Sequence, residues 1–398
     1  MTPYASFSYF ALVALLVAPA VWLGWRGRAA ARWVLASALL MLVVHHAPSH
    51  NLLPGVGRVR DLWVVLAFGA WQWFLAGWLL AGGGKKAPAW RFRAALALAL
   101  LPLVAAKLAP ALAPGTRLGF LGISYVCFRA LDVLLAVRDG LVTTLAPGAY
   151  VAFVAFFPTV SSGPIDRFRR FLKDYEAPRT REQLLADLDH AAWQLHLGLL
   201  AKFIVAALIK QYWMDPAGKV AGMGGMVSYM YAYSGYLFFD FAGYSAIAIA
   251  VSHACGIRVP ANFNRPYLAT SIQDFWNRWH ISLSTWFRDQ VYMRFLLANT
   301  KAGWVKDKQL AATAGFGITF VLMGLWHGIA WHYVLYGVYH AVLLSGHGYL
   351  GRALKDRPFT RSRAWTAASW ALTFNLVCFG FLLFSGHLTE PPRQVMPR

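Results

Sequence analysis

The chain has 398 residues, 59% hydrophobic and 13% charged, where a soluble domain carries about 25% charged residues. Those proportions, with a mean hydropathy of +0.48, exclude a water-soluble globular domain and place the chain in a membrane. Lys and Arg outnumber Asp and Glu by 37 to 16, a net charge of +21, which reads first as the cytoplasmic excess of cations in a membrane protein and second as attraction to anionic lipid or an acidic partner.

Apolar runs at 4–23, 33–47, 62–81 and 94–113 are each long enough, or nearly so, to cross a hydrocarbon core of about 30 Å. The first is not a signal peptide. No basic stretch precedes it, and Trp22 and Trp25 stand where a cleavage site needs small residues. Arg26, Arg28 and Arg32 follow the first run, and Lys85, Lys86, Arg91 and Arg93 follow the third. Only Arg58 and Arg60 lie between the second and third, so the N-terminus is expected outside. Gly82–Lys86 reads as a flexible inside loop and Ala109–Gly115 as a turn. Further spans are expected near 119–137, 191–213, 226–252, 310–330, 332–350 and 365–386. The result is an all-α polytopic membrane protein of about ten or eleven helices, because exposed backbone polar groups are too costly in lipid.

Two polar segments interrupt the pattern, Ser161–His190 and His253–Lys308. Both are basic, so both are expected on the cytoplasmic side. Parity then requires the short apolar piece 147–160 to re-enter rather than cross, and Pro158, Ser161, Ser162, Gly163 and Pro164 suit a broken helix there. Cys127, Cys255 and Cys378 are far apart and read as small buried hydrophobes with no disulfide framework.

The chemistry concentrates in the second polar segment. "DFWNRWHISLSTWFRDQVYMRF", residues 274–295, read as one helix, puts Asn277, His280, Ser284 and Arg288 on one face and Phe275, Trp279, Leu283 and Trp286 on another. Such a helix either anchors in the headgroup zone with snorkelling arginines or lines a polar cavity. Downstream, His327 lies in "GLWHG" at the end of an apolar run, and intramembrane ionisable groups usually face a bundle interior. His332, His340 and His347 follow without HExxH spacing or a nearby carboxylate, so no metal site is expected. Asp240, with Tyr236 and Tyr244 four residues to either side, is a carboxylate inside a span that needs a histidine or arginine partner. Arg167, Arg169, Arg170 and Lys173 surround Asp166, with Phe168 and Phe171 interleaved, in a pattern suited to docking an acidic protein or anionic headgroups. No GxSxG elbow and no phosphate-binding loop is present.

"DFWNRWHISLSTWFRD" followed by "GLWHGIAWHYVLYGVYH", with "LGISYVCFRALDVLLAVRDG" and "FPTVSSGPIDRFRRF" upstream, resembles the membrane-bound O-acyltransferase family. The resemblance covers roughly residues 118–350, and the first hundred residues match only in hydropathy. "SGPIDRFRRF" and "FWNRWH" resemble the family's D-alanyl-transferring branch more than its alginate O-acetylase branch. The resemblance implies a helical bundle around a central funnel, with re-entrant and interfacial helices. It divides the chain into N-terminal membrane helices (1–117), a catalytic core (118–350), and a loop, last helix and tail (351–398). The catalytic role falls on His327 with His280 in support, and Asn277, Ser284, Arg288, Trp326, Asp240 and Tyr336 line the funnel. Arg167, Arg169, Arg170 and Lys173 become the docking face for an acidic D-alanyl carrier protein, whose 4'-phosphopantetheine thioester is the acyl donor. No cofactor is held tightly. The acceptor is a hydroxyl of a cell-surface, lipoteichoic-acid-like polymer, and a small single-span membrane partner and membrane lipids complete the implied surroundings, at a bacterial inner membrane. Nucleic acid is not an expected partner. Gln290 departs from the branch, where an aromatic is expected after "RD". Two other readings stand beside this one: an exopolysaccharide O-acetyltransferase of the same fold, and a proton-coupled transporter using His327 and Asp240, which the lack of half-to-half similarity disfavours.

Overall fold

The computed structural model describes residues 3–46, 59–113, 118–354 and 357–389. Arg58 and the Pro114–Gly115 step lie outside them. The described residues are helical, with one isolated antiparallel bridge between Phe263 and Trp279. Among the described residues seven helices are long and apolar enough to cross a membrane, and the protein is an all-α polytopic membrane protein. Some of the further apolar runs counted in the sequence form shorter helices, such as Ala31–His46.

The chain divides into two compact units, Met1–Leu199 with Tyr244–Pro260, and Leu200–Gly243 with Ala261–Arg398. The first unit begins with α1 (Phe7–Trp25), α2 (Ala31–His46), α3 (Val59–Ala81) and α4 (Ala89–Leu112). Ser6 starts α1 by accepting from the Tyr9 amide at 3.3 Å, the usual way an orphan donor is satisfied at a helix start. Gly82–Lys86 is a tight turn rather than a loose loop, with Gly83 at φ 101° ahead of one 3-10 turn. The Arg91 guanidinium lies 4.7 Å from the Trp78 ring centre.

Next, α5 (Ile123–Arg138) was expected to cross. It is 16 residues long, about 24 Å against a core of about 30 Å, and every residue from Val126 to Val137 is buried. It is an interior helix. α6 (Pro147–Val154) has eight residues, about 12 Å, and gives way to a 3-10 turn at Phe157–Thr159. The apolar piece 147–160 is thus a broken, largely buried element. Its unpaired carbonyls are the problem any interrupted helix faces. The fully buried Arg129 of α5 answers it, donating to the carbonyls of Phe153 at 3.0 Å, Val154 at 3.2 Å and Phe156 at 3.2 Å, and to the Thr159 hydroxyl. α7 (Phe168–Glu176) and α8 (Arg181–Leu199) follow. The polar segment 161–190 is thus largely helical, and α8 starts ten residues before the expected span.

The second unit opens with π-helical turns at Leu200–Val205 and Lys210–Met214, around the short α9 (Ala206–Ile209) and α10 (Asp215–Ala217). α11 (Met223–Ala254) contributes its first part to the second unit and its last turns to the first. The second unit then has α12 (Ile272–Arg278), α13 (Ile281–Phe287), a π-helical turn at Arg288–Tyr292, α14 (Met293–Ala302), α15 (Lys308–His327), α16 (Trp331–Ala353) and α17 (Arg363–Phe384). Asp307 caps α15 through the Leu310 amide at 2.7 Å, and Ser362 caps α17 through the Trp365 amide at 3.1 Å. α15 and α16 form a close hairpin. A Cβ on Gly324 would stand 2.3 Å from the Tyr333 carbonyl oxygen, and one on Gly337 would stand 2.3 Å from that of Phe320. Small residues that let backbones touch are the usual device for helix contacts inside a membrane.

Candidate active site

The string 274–295 is not one helix. Ser271 caps α12 through the Asp274 amide at 3.1 Å, and α12 ends after seven residues. Trp279 is extended, and His280 takes a left-handed backbone at φ 43°, ψ 52° before α13 begins. That conformation costs a non-glycine residue about 1–2 kcal/mol, and it persists only where the surroundings over-determine it. They do so here. The extended stretch Asn262–Asn264 lies against the kink, with the Asn264 amide donating to the Arg278 carbonyl at 2.9 Å and the Ile281 amide donating to the Asn262 carbonyl at 2.9 Å.

The kink splits the polar face drawn from helical spacing. Asn277, Ser284 and Arg288 line a cavity of about 320 Å³, together with Gln273, Trp276, Thr285, Tyr292, Phe316, Phe320 and others. His280 is absent from that wall. It is 4% exposed, and its ring meets Phe241 edge-on with centres 4.6 Å apart. Its Nε2 is buried with no hydrogen-bond partner among the described residues. Burial holds this imidazole well below the ordinary histidine range, and nearby His327 adds to the effect. Burial therefore favours the uncharged ring. The π-helical turn at 288–292 keeps Arg288 and Tyr292 on the same wall, an insertion of the kind that recurs at functional sites.

The opposite face packs inside the protein. Phe275, Trp279, Leu283 and Trp286 are all buried. Trp279 packs against Phe263, Phe275 and Phe381 with ring centres 5.0, 5.7 and 4.7 Å away. These rings are protein core, so the interfacial-anchor reading does not hold for them.

His327 is the last residue of α15, half-buried beside Trp326 at 4.5 Å, Phe384 at 4.9 Å and Tyr333 at 6.0 Å. Its charge, when present, opposes protonation of His280. Tyr336 is buried behind them, 5.1 Å from Phe384 and 4.5 Å from His340. Neither Tyr336 nor Trp326 lines the cavity. The Trp276 indole donates to His340 Nδ1 at 3.3 Å, which ties the cavity wall to this cluster and gives His340 a structural role. Among the described residues no three His, Cys, Asp or Glu side chains converge at metal-ligand spacing.

The chain matches the pattern of the membrane-bound O-acyltransferase family over residues 6–386. It belongs to that family. A teichoic acid D-alanyltransferase of Bacillus subtilis is 38% identical over 397 residues, covering 97% of this chain and 98% of the relative. One from Lacticaseibacillus rhamnosus is 42% identical over 69% of this chain and 71% of its own length. One from Streptococcus thermophilus is 38% identical over 76% of this chain and 77% of its own length. The protein is an acyltransferase embedded in a membrane through several helices, and the family assignment extends well beyond the stretch that carries the sequence motifs.

Within this acyltransferase, two expected site groups have other partners. Asp240 does not hold a histidine or arginine. It accepts from Lys202 Nζ at 2.6 Å, and it is absent from the cavity wall. Lys202 is one of two lysines within the run 191–213, with Lys210. In the first unit, Arg167 donates to Asp132 at 2.8 Å, and Asp132 also accepts from the Phe168 amide at 2.9 Å. Arg170 is bound to Asp166 and, at 2.8 Å, to Asp174. Two of the four docking cations are thus internal ties. Arg169 and Lys173, four apart on α7, remain exposed. Gln273, Trp276 and Tyr292 of the cavity wall were missed, because helical spacing alone cannot register a kink or a π turn.

Proposed function

We propose that this acyltransferase moves a D-alanyl group from a phosphopantetheine thioester on an acidic carrier protein to a hydroxyl of a teichoic-acid-type surface polymer. The observation that carries the reading is the buried, uncharged imidazole of His280 in a chain alignable almost end to end with a protein named for D-alanyl transfer.

A thioester is already activated, so the demanding task is to make an alcohol nucleophilic while excluding water. His327 takes the hydroxyl proton as the oxygen attacks the thioester carbonyl. The tetrahedral intermediate then collapses, an ester forms, the C–S bond breaks, and the thiolate recovers the proton from the imidazolium. General-base help of this kind contributes about 10²–10⁴-fold. His280 supports His327 and stays uncharged, so it does not raise the cost of forming an imidazolium beside it. The cavity lined by Gln273, Asn277, Ser284, Thr285 and Arg288 offers donors and acceptors for the amides of the pantetheine arm and a cation for its phosphate. Arg169 and Lys173 attract the acidic carrier.

The test is transfer of labelled D-alanine from loaded carrier protein to a polyol-phosphate acceptor by the purified protein. His327→Ala should lower the rate about 10²–10⁴-fold while the protein purifies as a monodisperse bundle. Undiminished transfer by that variant removes His327 as the base. Preference for an acetyl donor, with no use of D-alanyl carrier, would move the protein to polysaccharide O-acetylation.

A further inference from the structure

The left-handed kink at His280 has a dedicated clasp. The Ile281 amide donates to the Asn262 carbonyl at 2.9 Å, and the Ser282 hydroxyl donates to the Asn262 side-chain oxygen at 2.6 Å. Both bonds fall on the C-terminal side of His280. On the N-terminal side, the Asn264 amide holds the Arg278 carbonyl, and the Ser284 hydroxyl donates to the Trp279 carbonyl at 3.1 Å. Asn262 is 1% exposed and Ser282 is 5% exposed, so bonds lost there are not replaced by bulk water. The kink has a directional consequence. In a continuous helix His280 shares a face with Asn277, Ser284 and Arg288, and all three line the cavity. With the kink, the ring turns off that wall to meet Phe241 edge-on.

We propose that Asn262 is the positioning residue for His280, holding Ile281 and Ser282 so that the ring packs against Phe241 instead of facing the cavity. The proposal rests on the acyl-transfer reading above. Asn262 touches neither thioester nor alcohol in this scheme, and it acts only through the Ile281 amide and the Ser282 hydroxyl.

The experiment uses full-length protein in detergent with D-alanine-loaded carrier. Asn262→Ala and Ser282→Ala should each lower kcat by about 10–100-fold, the scale of a small misplacement of a reacting group, with KM for the loaded carrier within about twofold. Each variant deletes the same hydrogen bond, so the double variant should be no slower than the worse single one. Asn262→Asp keeps the acceptor and should recover most of kcat. A second readout needs no turnover: diethyl pyrocarbonate modification of His280, followed by peptide mass spectrometry, should be slow in the wild type and several-fold faster in both single variants. If Asn262→Ala does not fold, Ser282→Ala, which removes one oxygen and leaves the backbone bond, carries the same expectations. Unchanged kcat together with unchanged His280 modification in Ser282→Ala overturns the proposal. A wild type that cannot use the loaded carrier overturns the acyl-transfer reading instead, and the modification rates still decide the clasp.

Discussion

A histidine kept neutral by burial leaves a signature in stability as well as in rate. Unfolded, His280 binds a proton below about pH 6.5; folded, burial and His327 oppose that proton. The unfolded state therefore gains protons first, and stability falls as pH drops below about 6.5. His280→Gln removes that titration, so its unfolding midpoint in detergent should decline less steeply than the wild type's between about pH 6.5 and pH 5. The arginines of α7 separate in the same residue-by-residue way. Asp166 is 3% exposed, and burial pushes its carboxyl up while Arg170 opposes the shift. Arg170→Glu leaves that carboxylate unpaired beside a new negative charge and should cost about 3 kcal/mol of stability. Arg169→Glu should change stability by less than about 0.5 kcal/mol yet weaken carrier binding, with the difference shrinking at high salt. Unfolding midpoints and carrier titrations at two ionic strengths check both. Composition and sequence spacing could flag all four cations as a patch. They could not tell the two bound to Asp132 and Asp166 from the two left exposed, because that distinction is made by partners brought from elsewhere in the chain.

Element boundaries were legible where local chemistry sets them and illegible where tertiary contacts do. Ser271, Asp307 and Ser362 cap helices as side-chain oxygens do, and the Pro and Gly residues after 157 mark a genuine break. The kink at His280 carries no glycine, proline or other local mark, because a distant segment, Asn262–Asn264, imposes it. Nor could hydropathy show that α5 is interior, since a buried helix and a lipid-facing one are equally apolar. The α15–α16 hairpin offers a test at this scale. Gly324→Ala and Gly337→Ala each drive a methyl into a carbonyl oxygen 2.3 Å away, so the helices must part, at a cost of about 1–3 kcal/mol. Gly346, also on α16, meets nothing within 4 Å, and Gly346→Ala should be neutral or stabilising by up to about 1 kcal/mol. Thermal unfolding of the three variants in one detergent makes the comparison.

For the whole molecule, the sequence conveyed its class, its order of helices and its two histidine motifs, and the missing information is how helices associate. The Lys202–Asp240 bond bears on how the protein is made. Each residue alone in the middle of a helix opposes entry into the bilayer by about 2.5–3.5 kcal/mol, whereas joined at 2.6 Å they largely neutralise one another. The stretch at 200–217 and the start of α11 at 223 are separated by only a short turn. Biogenesis is therefore favoured when these neighbours leave the insertion machinery together as a prepaired hairpin. A nascent chain truncated before Asp240 should integrate its lysine-bearing helix less efficiently than one extending past it, and Lys202→Leu should abolish that dependence.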